Sequence, residues 1–198
     1  MWRVRGRALT MSALAVCVGA LGCGGSITAP GPGERLYRGA APPLALSLIY
    51  PARWRLMEEQ GRREPYAQAR FLGPRNAEDT YTAYIAVRGI LPDSEGGPTE
   101  SLDERVRRYT EELLEGAAIE SVQPTALQQG EARDLVVSFT VPPLFRSGLK
   151  PIPIPVKTRI VFLQRGRSCY EIAYSADARE YAAHAPAFER VLASLRFH

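Results

Sequence analysis

Two periods of apolar residues run through the chain. In 132–141, Leu135, Val137, Phe139 and Val141 alternate with Asp134, Val136, Ser138 and Thr140. That is the pattern of a half-buried strand. Val156, Thr158, Ile160 and Phe162 repeat it in 156–163. Gly166 marks a turn, and Ser168 to Ser175 returns with Tyr170, Ile172 and Tyr174. Two strands joined by a short glycine turn predict an antiparallel hairpin. Earlier, Leu44–Tyr50 is an apolar run with a β-branched and aromatic end, predicting a strand. Pro51 stops it, and Trp54–Leu56 restarts an extended segment. Residues 67–73 and 81–88 predict two more strands, the second with Tyr81, Ala83, Ile85 and Val87 on one face.

The helical period appears twice. Ser101-Leu-Asp-Glu104 is a capping box, in which the serine side chain caps the third helical N–H and the glutamate reaches back to the cap N–H. Leu102, Val106, Tyr109 and Leu113 then form one apolar stripe, and Gly116 can end the helix in a left-handed conformation. Near the C-terminus Pro186 suits a first helical residue. Phe188, Val191, Leu192 and Leu195 follow at core-facing spacing.

The first 22 residues have another character. Arg3, Arg5 and Arg7 precede the 15 uncharged residues from Ala8 to Gly22, which is short of the roughly 20 apolar residues that a spanning helix needs. A basic start, an apolar middle and small residues before a cysteine form a bacterial lipoprotein signal, removed before Cys23. The site has Ala20 where a lipobox usually has leucine, so Cys23 is either lipidated or the plain mature N-terminus with a free thiol. Cys17, preceded by the bulky Val16, suits the role less well. Palmitate-like chains on Cys23 would tie the protein to a membrane, each buried CH₂ adding about 0.8 kcal/mol. Gly24 does not resemble the aspartate that retains lipoproteins at an inner membrane. The expected address is the cell envelope, at the periplasmic face of the outer membrane where there are two membranes.

Removing the signal changes the charge. The chain has 25 Lys+Arg against 21 Asp+Glu, and three of those arginines lie in the signal. The remainder alternates in sign, with Glu58-Glu59 near Arg62-Arg63 and Asp103-Glu104 beside Arg105. A nucleic-acid partner needs a concentrated positive stripe, so none is expected. Cys169 is left as the lone cysteine of the folded part, so no disulfide is available, and its apolar strand context predicts a buried small hydrophobe. Residues 23–43 hold Gly24, Gly25, Pro30, Gly31, Pro32, Gly33, Pro42 and Pro43 and read as a lipidated flexible tether spanning roughly 25 Å. The globular domain is then 44–198, enough for one core.

A catalytic set is missing from the sequence. There are two histidines, His184 beside Pro186 and the terminal His198. No phosphate-binding glycine loop, nucleophile elbow or zinc-protease motif occurs. Glu58-Glu59 and Glu111-Glu112 are adjacent, so their side chains point apart. No catalytic, metal or cofactor site is assigned. The segment 141–155 stands out, with five prolines and the apolar Leu144, Phe145 and Leu149. Pro151, Pro153 and Pro155 favour a stiff extended path that presents Ile152 and Ile154. It either folds back over the core edge or contacts a partner through Leu144, Phe145, Arg146, Lys150, Ile152 and Ile154.

The order of these motifs resembles the PsbP-like family. An apolar strand runs into Tyr50-Pro51 and Trp54, then come Phe71-Leu-Gly-Pro74, a valine-rich strand and the capped helix from Ser101. The hairpin ends in Tyr170-Glu-Ile-Ala-Tyr-Ser175, and Tyr181…Phe188-Glu-Arg-Val-Leu-Ala-Ser-Leu-Arg-Phe197 resembles that family's closing helix and terminal strand. The likeness covers roughly 43–198. It implies an α+β fold, an α/β/α sandwich with a central, mainly antiparallel sheet flanked by helices. It also implies a non-enzymatic binding or assembly protein, several members being lipoproteins. The photosystem role is not carried over, because nothing in 24–43 resembles that subunit's docking region. The function expected is a membrane-anchored module that binds or assembles a protein partner at the envelope. A carrier of a small apolar or lipid-like ligand, held between sheet and helices, is the alternative.

Overall fold

A computed structural model describes residues 29–40, 42–60, 66–76, 80–90, 100–113, 116–141 and 153–198. Its centre is a seven-stranded sheet in the order β3(Arg55–Gln60), β4(Tyr66–Leu72), β5(Ala83–Ile90), β9(Ser168–Asp177), β8(Ile154–Arg165), β7(Gly130–Val141), β6(Ala118–Leu127). A second sheet has β2(Leu46–Pro51) between β1(Glu34–Arg38) and β10(Arg196–Phe197). Every pairing among these strands is antiparallel. The predicted strands at 44–50, 67–73, 81–88, 132–141, 156–163 and 168–175 all form, with no end moved by more than two residues. The predicted hairpin closes through Gly166, whose φ of 59° is the left-handed value that a tight turn needs.

The strand period separates two cores. Phe71, Ile85, Val87, Val161, Leu163, Ile172 and Tyr174 face α2(Tyr181–Ser194) and the small sheet. The other face holds Leu135, Val137, Ile160 and Phe162, on which α1(Leu102–Glu111) lays Leu102 and Val106. The architecture is therefore α+β: a central antiparallel sheet with α2 on one face and α1 on the other. Tyr50 and Tyr37 pack on Phe71, at 4.6 and 5.6 Å between ring centroids, which seats the small sheet on the α2 face.

Four sequence expectations change. Residues 34–38, read as tether, are β1, fully paired with β2 and with Tyr37 buried. Prolines and glycines flank this segment and masked the alternation within it. The strand β6 was not foreseen, because it is a polar edge with most of its side chains exposed. Pro186 lies inside α2, which starts five residues earlier at Tyr181. The good helix formers Ala182, Ala183 and Ala185 carry the first turns ahead of it. The capping box of α1 forms in full, yet the helix ends at Glu111 and Gly116 sits in a later turn with φ of 82°. Residues 1–28, including the signal and Cys23, lie outside the described residues.

Candidate functional site

The short helix α1 covers only the β7–β8 part of its sheet face. Its ten residues rest on β7 and β8, where Val106 meets the core and the Tyr109 ring lies 5.6 Å from Phe162. Beyond Tyr109 the same face continues over β9, β5, β4 and β3 with no helix upon it among the described residues. Register places Tyr84 beside Leu72, Ala86 beside Arg70, and Arg88 beside Gln68 there. Tyr84 is 39% exposed and Met57 45%.

Two adjoining cavities, of about 470 and 480 Å³, open along this step. They share Arg88, Tyr109 and Glu171 and form one trench. Small side chains, Ala86 and Ala173, make its floor; Tyr109, Arg105 and Arg108 of α1 make one wall. An ion network fixes that wall. Arg105 binds Glu171 at 2.7 Å and Glu100 at 3.2 Å, and Arg108 binds Glu100 at 2.6 Å. Arg88 lies over the Tyr66 ring at 4.3 Å and 3.5 Å from Glu171. Outside the two cavities, ahead of β5, Arg75 donates to the Tyr81 phenol at 2.9 Å.

The electrostatics suit binding better than proton transfer. Burial, with Tyr84 and Glu171 adding repulsion, pushes the Tyr109 phenol up to about 12. The Cys169 thiol is pushed up to about 11, chiefly by burial, so it stays protonated at neutral pH, although the residue is half-buried rather than fully buried as its strand context predicts. Glu171 is held between Arg88 and Arg105, at 3.5 and 2.7 Å. No cluster of His, Cys, Asp or Glu fit to hold a metal occurs among the described residues. His184 is remote from the trench, on α2, edge-on to Trp54 and 3.5 Å from Glu180. His198 is exposed, with its N–H bonded to Ala45 O.

Of the contact residues expected in 141–155, Leu144, Phe145, Arg146, Lys150 and Ile152 lie outside the described residues, as does the lipidation site Cys23. Ile154 opens β8 opposite Val141 and is 38% exposed, away from the trench. The trench itself was not foreseen. Arg70 and Arg88 become neighbours of Tyr109 only in the tertiary fold: the sequence places Tyr109 in the apolar stripe of a helix and the two arginines inside predicted strands.

No family model and no curated protein matches the sequence. Solved structures do. The solution structure of cyanobacterial PsbP (CyanoP) from Synechocystis sp. PCC 6803 superposes with a TM-score of 0.51 at 12% identity, over 91% of this chain and 100% of that one. The chain has the PsbP fold. A Pseudomonas aeruginosa protein of unknown function shares it, with a TM-score of 0.50 and 18% identity over 83% of this chain and 97% of its own. A Bacteroides thetaiotaomicron VPI-5482 protein is similar to 84% of this chain at 15% identity and a TM-score of 0.47, but the match spans about half of that protein, 48%. The PsbP fold is what the motif order between 43 and 198 implied. At these identities the likeness is one of fold, and function rests on the site.

Proposed function

We propose that this protein is a non-enzymatic lipoprotein, anchored through Cys23, that binds or helps assemble a protein partner at the cell envelope. The periplasmic face of the outer membrane is its address where the cell has two membranes. The observation that carries the reading is the trench beside α1, an open, partly charged surface with aromatic side chains. Tyrosine and arginine are the side chains that dominate binding energy at protein interfaces. The signal-like start, with Arg3, Arg5 and Arg7 ahead of the uncharged run to Cys23, supports the anchor. The carrier alternative gains no support. The α2 face is filled by Phe71, Phe188 and Tyr174, and the space beside α1 is open and rimmed by charge.

Site-specific photo-cross-linking in cells tests this. The photoreactive p-benzoylphenylalanine replaces Tyr84 in the trench or, as a control, the exposed Arg179 ahead of α2. One dominant adduct from position 84 and none from 179, recovered with membranes, is the expected result. No adduct at 84, or the same pattern at both, would sink the docking reading. Cys23→Ser should move the protein out of the membrane fraction; retention there would refute the anchor.

A further inference from the structure

A line of arginines, two of them lining the trench and the third on the adjoining strand β3, crosses this sheet face, and no stretch of sequence reveals it. Arg55 pairs with Leu72, Arg70 with Ala86, and Gln68 with Arg88, so Arg55, Arg70 and Arg88 are successive diagonal neighbours on one sheet face. Diagonal neighbours stand about 7–8 Å apart. Side chains on one face of an extended chain repeat at about 6.6–6.8 Å, a step that arginine reach can match. Two of the nearby carboxylates are already engaged, Glu171 by Arg105 and Glu100 by Arg108. Glu59 meets Arg70 at 3.3 Å, but both side chains are about half exposed, at 54% and 45%. Such a pair contributes little and exchanges readily for an incoming carboxylate. Arg88 is held on Tyr66 and Glu171, so its guanidinium is oriented in advance. The Tyr81 phenol at the Arg55 end reports the local field. Arg75 lowers its proton affinity, against burial and with help from Arg55.

We propose that the trench takes an extended segment of the partner protein carrying carboxylates at alternate positions, one to each arginine of the Arg55–Arg70–Arg88 diagonal. Its backbone crosses the Ala86–Ala173 floor between Tyr84 and Tyr109. This rests on the docking role proposed above. Anionic lipid headgroups carry similar charge, but the chain's own layout disfavours them. Glu34 is bound to Arg190 of α2 at 2.8 Å, on the sheet face opposite the trench. Cys23 precedes Ala29 by six residues, which reach at most about 20 Å. A lipid there draws the α2 side to the membrane and turns the trench outward.

The test uses the mature chain with Cys23→Ser and two labelled peptides, (Glu-Ser)4 and (Lys-Ser)4, at low and at 0.5 M salt. The glutamate peptide should bind, lose affinity in salt and bind at least tenfold more weakly to the double variant Arg55→Gln/Arg70→Gln. Both arginines are exposed, so that variant should melt with the parent. Arg55→Lys/Arg70→Lys should restore part of the affinity. Equal binding of both peptides, or no loss in the double glutamine variant, would overturn the proposal. So would vesicles with 30% phosphatidylglycerol that bind the parent more tightly than the peptide does and the glutamine variant not at all. In cells, a Tyr84 adduct unchanged by Arg55→Gln/Arg70→Gln refutes the acidic segment while leaving docking intact. Absence of the adduct from the parent refutes docking itself.

Discussion

Arg105 donates to Glu171 through two nitrogens, Nη2 at 2.7 Å and Nε at 3.1 Å, joining α1 to the middle of the sheet. The two side chains are only 14% and 16% exposed. Removing one partner leaves the other charge poorly hydrated, which costs far more than the pair itself contributes. Glu171→Ala should lower stability by about 2–3 kcal/mol in urea unfolding. Arg107→Ala breaks an ion pair to Glu111 that is open to water and should cost under about 0.5 kcal/mol. Equal losses in the two variants would show that α1 is held by its apolar stripe alone.

Ser194 ties α2 to β2. Its Oγ accepts from the Ile49 N–H at 2.8 Å and donates to Arg190 O at 2.7 Å, in a buried setting. Ser194→Ala leaves the Ile49 N–H without its partner, at a cost of about 1–3 kcal/mol. Ser101→Ala removes the α1 cap at the surface and should cost about 1 kcal/mol. Thermal melts of both variants check the order: a Ser194 variant no less stable than the Ser101 variant would show that water replaces the bond.

The contrast between these two serines shows what was legible in the sequence. Ser101 and Glu104 act within one turn, so spacing alone identified the capping box that the structure contains. Ser194 and Ile49 are 145 residues apart, and no local pattern links them. Alternation exposed β5, β7 and β9 because one face of each is drier than the other, and it exposed the edge half of β8, whose centre is dry on both faces. It failed for β6, which is wet on both faces, and for β1, whose flanking prolines and glycines imitate a linker. The trench failed for a related reason. Arg55, Arg70 and Arg88 are neighbours by register, and an alternating charge pattern along the chain says nothing about diagonals across a sheet.

Acid should destabilise the fold. Arginine partners hold Glu34 and Asp103 below the usual carboxylate range, through Arg190 and Arg133 respectively, as Arg179 does for Asp177. Glu104 is lowered by the Ser101 backbone and Glu120 by Lys157. A depressed folded pKa stabilises fully above the unfolded value of about 4 and is lost as pH falls through the lower folded value. Melting temperature should therefore stay level between about pH 7 and 5 and fall between about pH 4 and 2. The double variant Glu34→Gln/Asp103→Asn should be less stable at pH 7 and show a shallower acid fall. A parent protein more stable at pH 3 than at pH 6 would contradict these ion pairs.

The boundary of the folded domain gives the sharpest test, because sequence and structure place it differently. Composition puts it at Leu44; β1 puts it before Glu34. Five residue pairs join β1 to β2, and the Tyr37 side chain is buried at 4% exposure with its OH on Glu58 at 2.7 Å. Burial of an aromatic side chain of this kind contributes about 1.5–3 kcal/mol. Glu34 adds its link to Arg190, and Pro43 fills the space over Gly89, where an added Cβ would stand 2.7 Å from the proline ring. A chain starting at Leu44 loses β1, the Tyr37 ring and the Arg190 partner together, a large share of the roughly 5–15 kcal/mol that holds a domain of this size. It should melt at least ten degrees below a chain starting at Ala29, or fail to fold. Tyr37→Ala in the longer chain should reproduce part of that loss, and Arg35→Ala, at an exposed position, almost none. Equal melting of the two chains would return 29–43 to the tether and separate β1 from the fold.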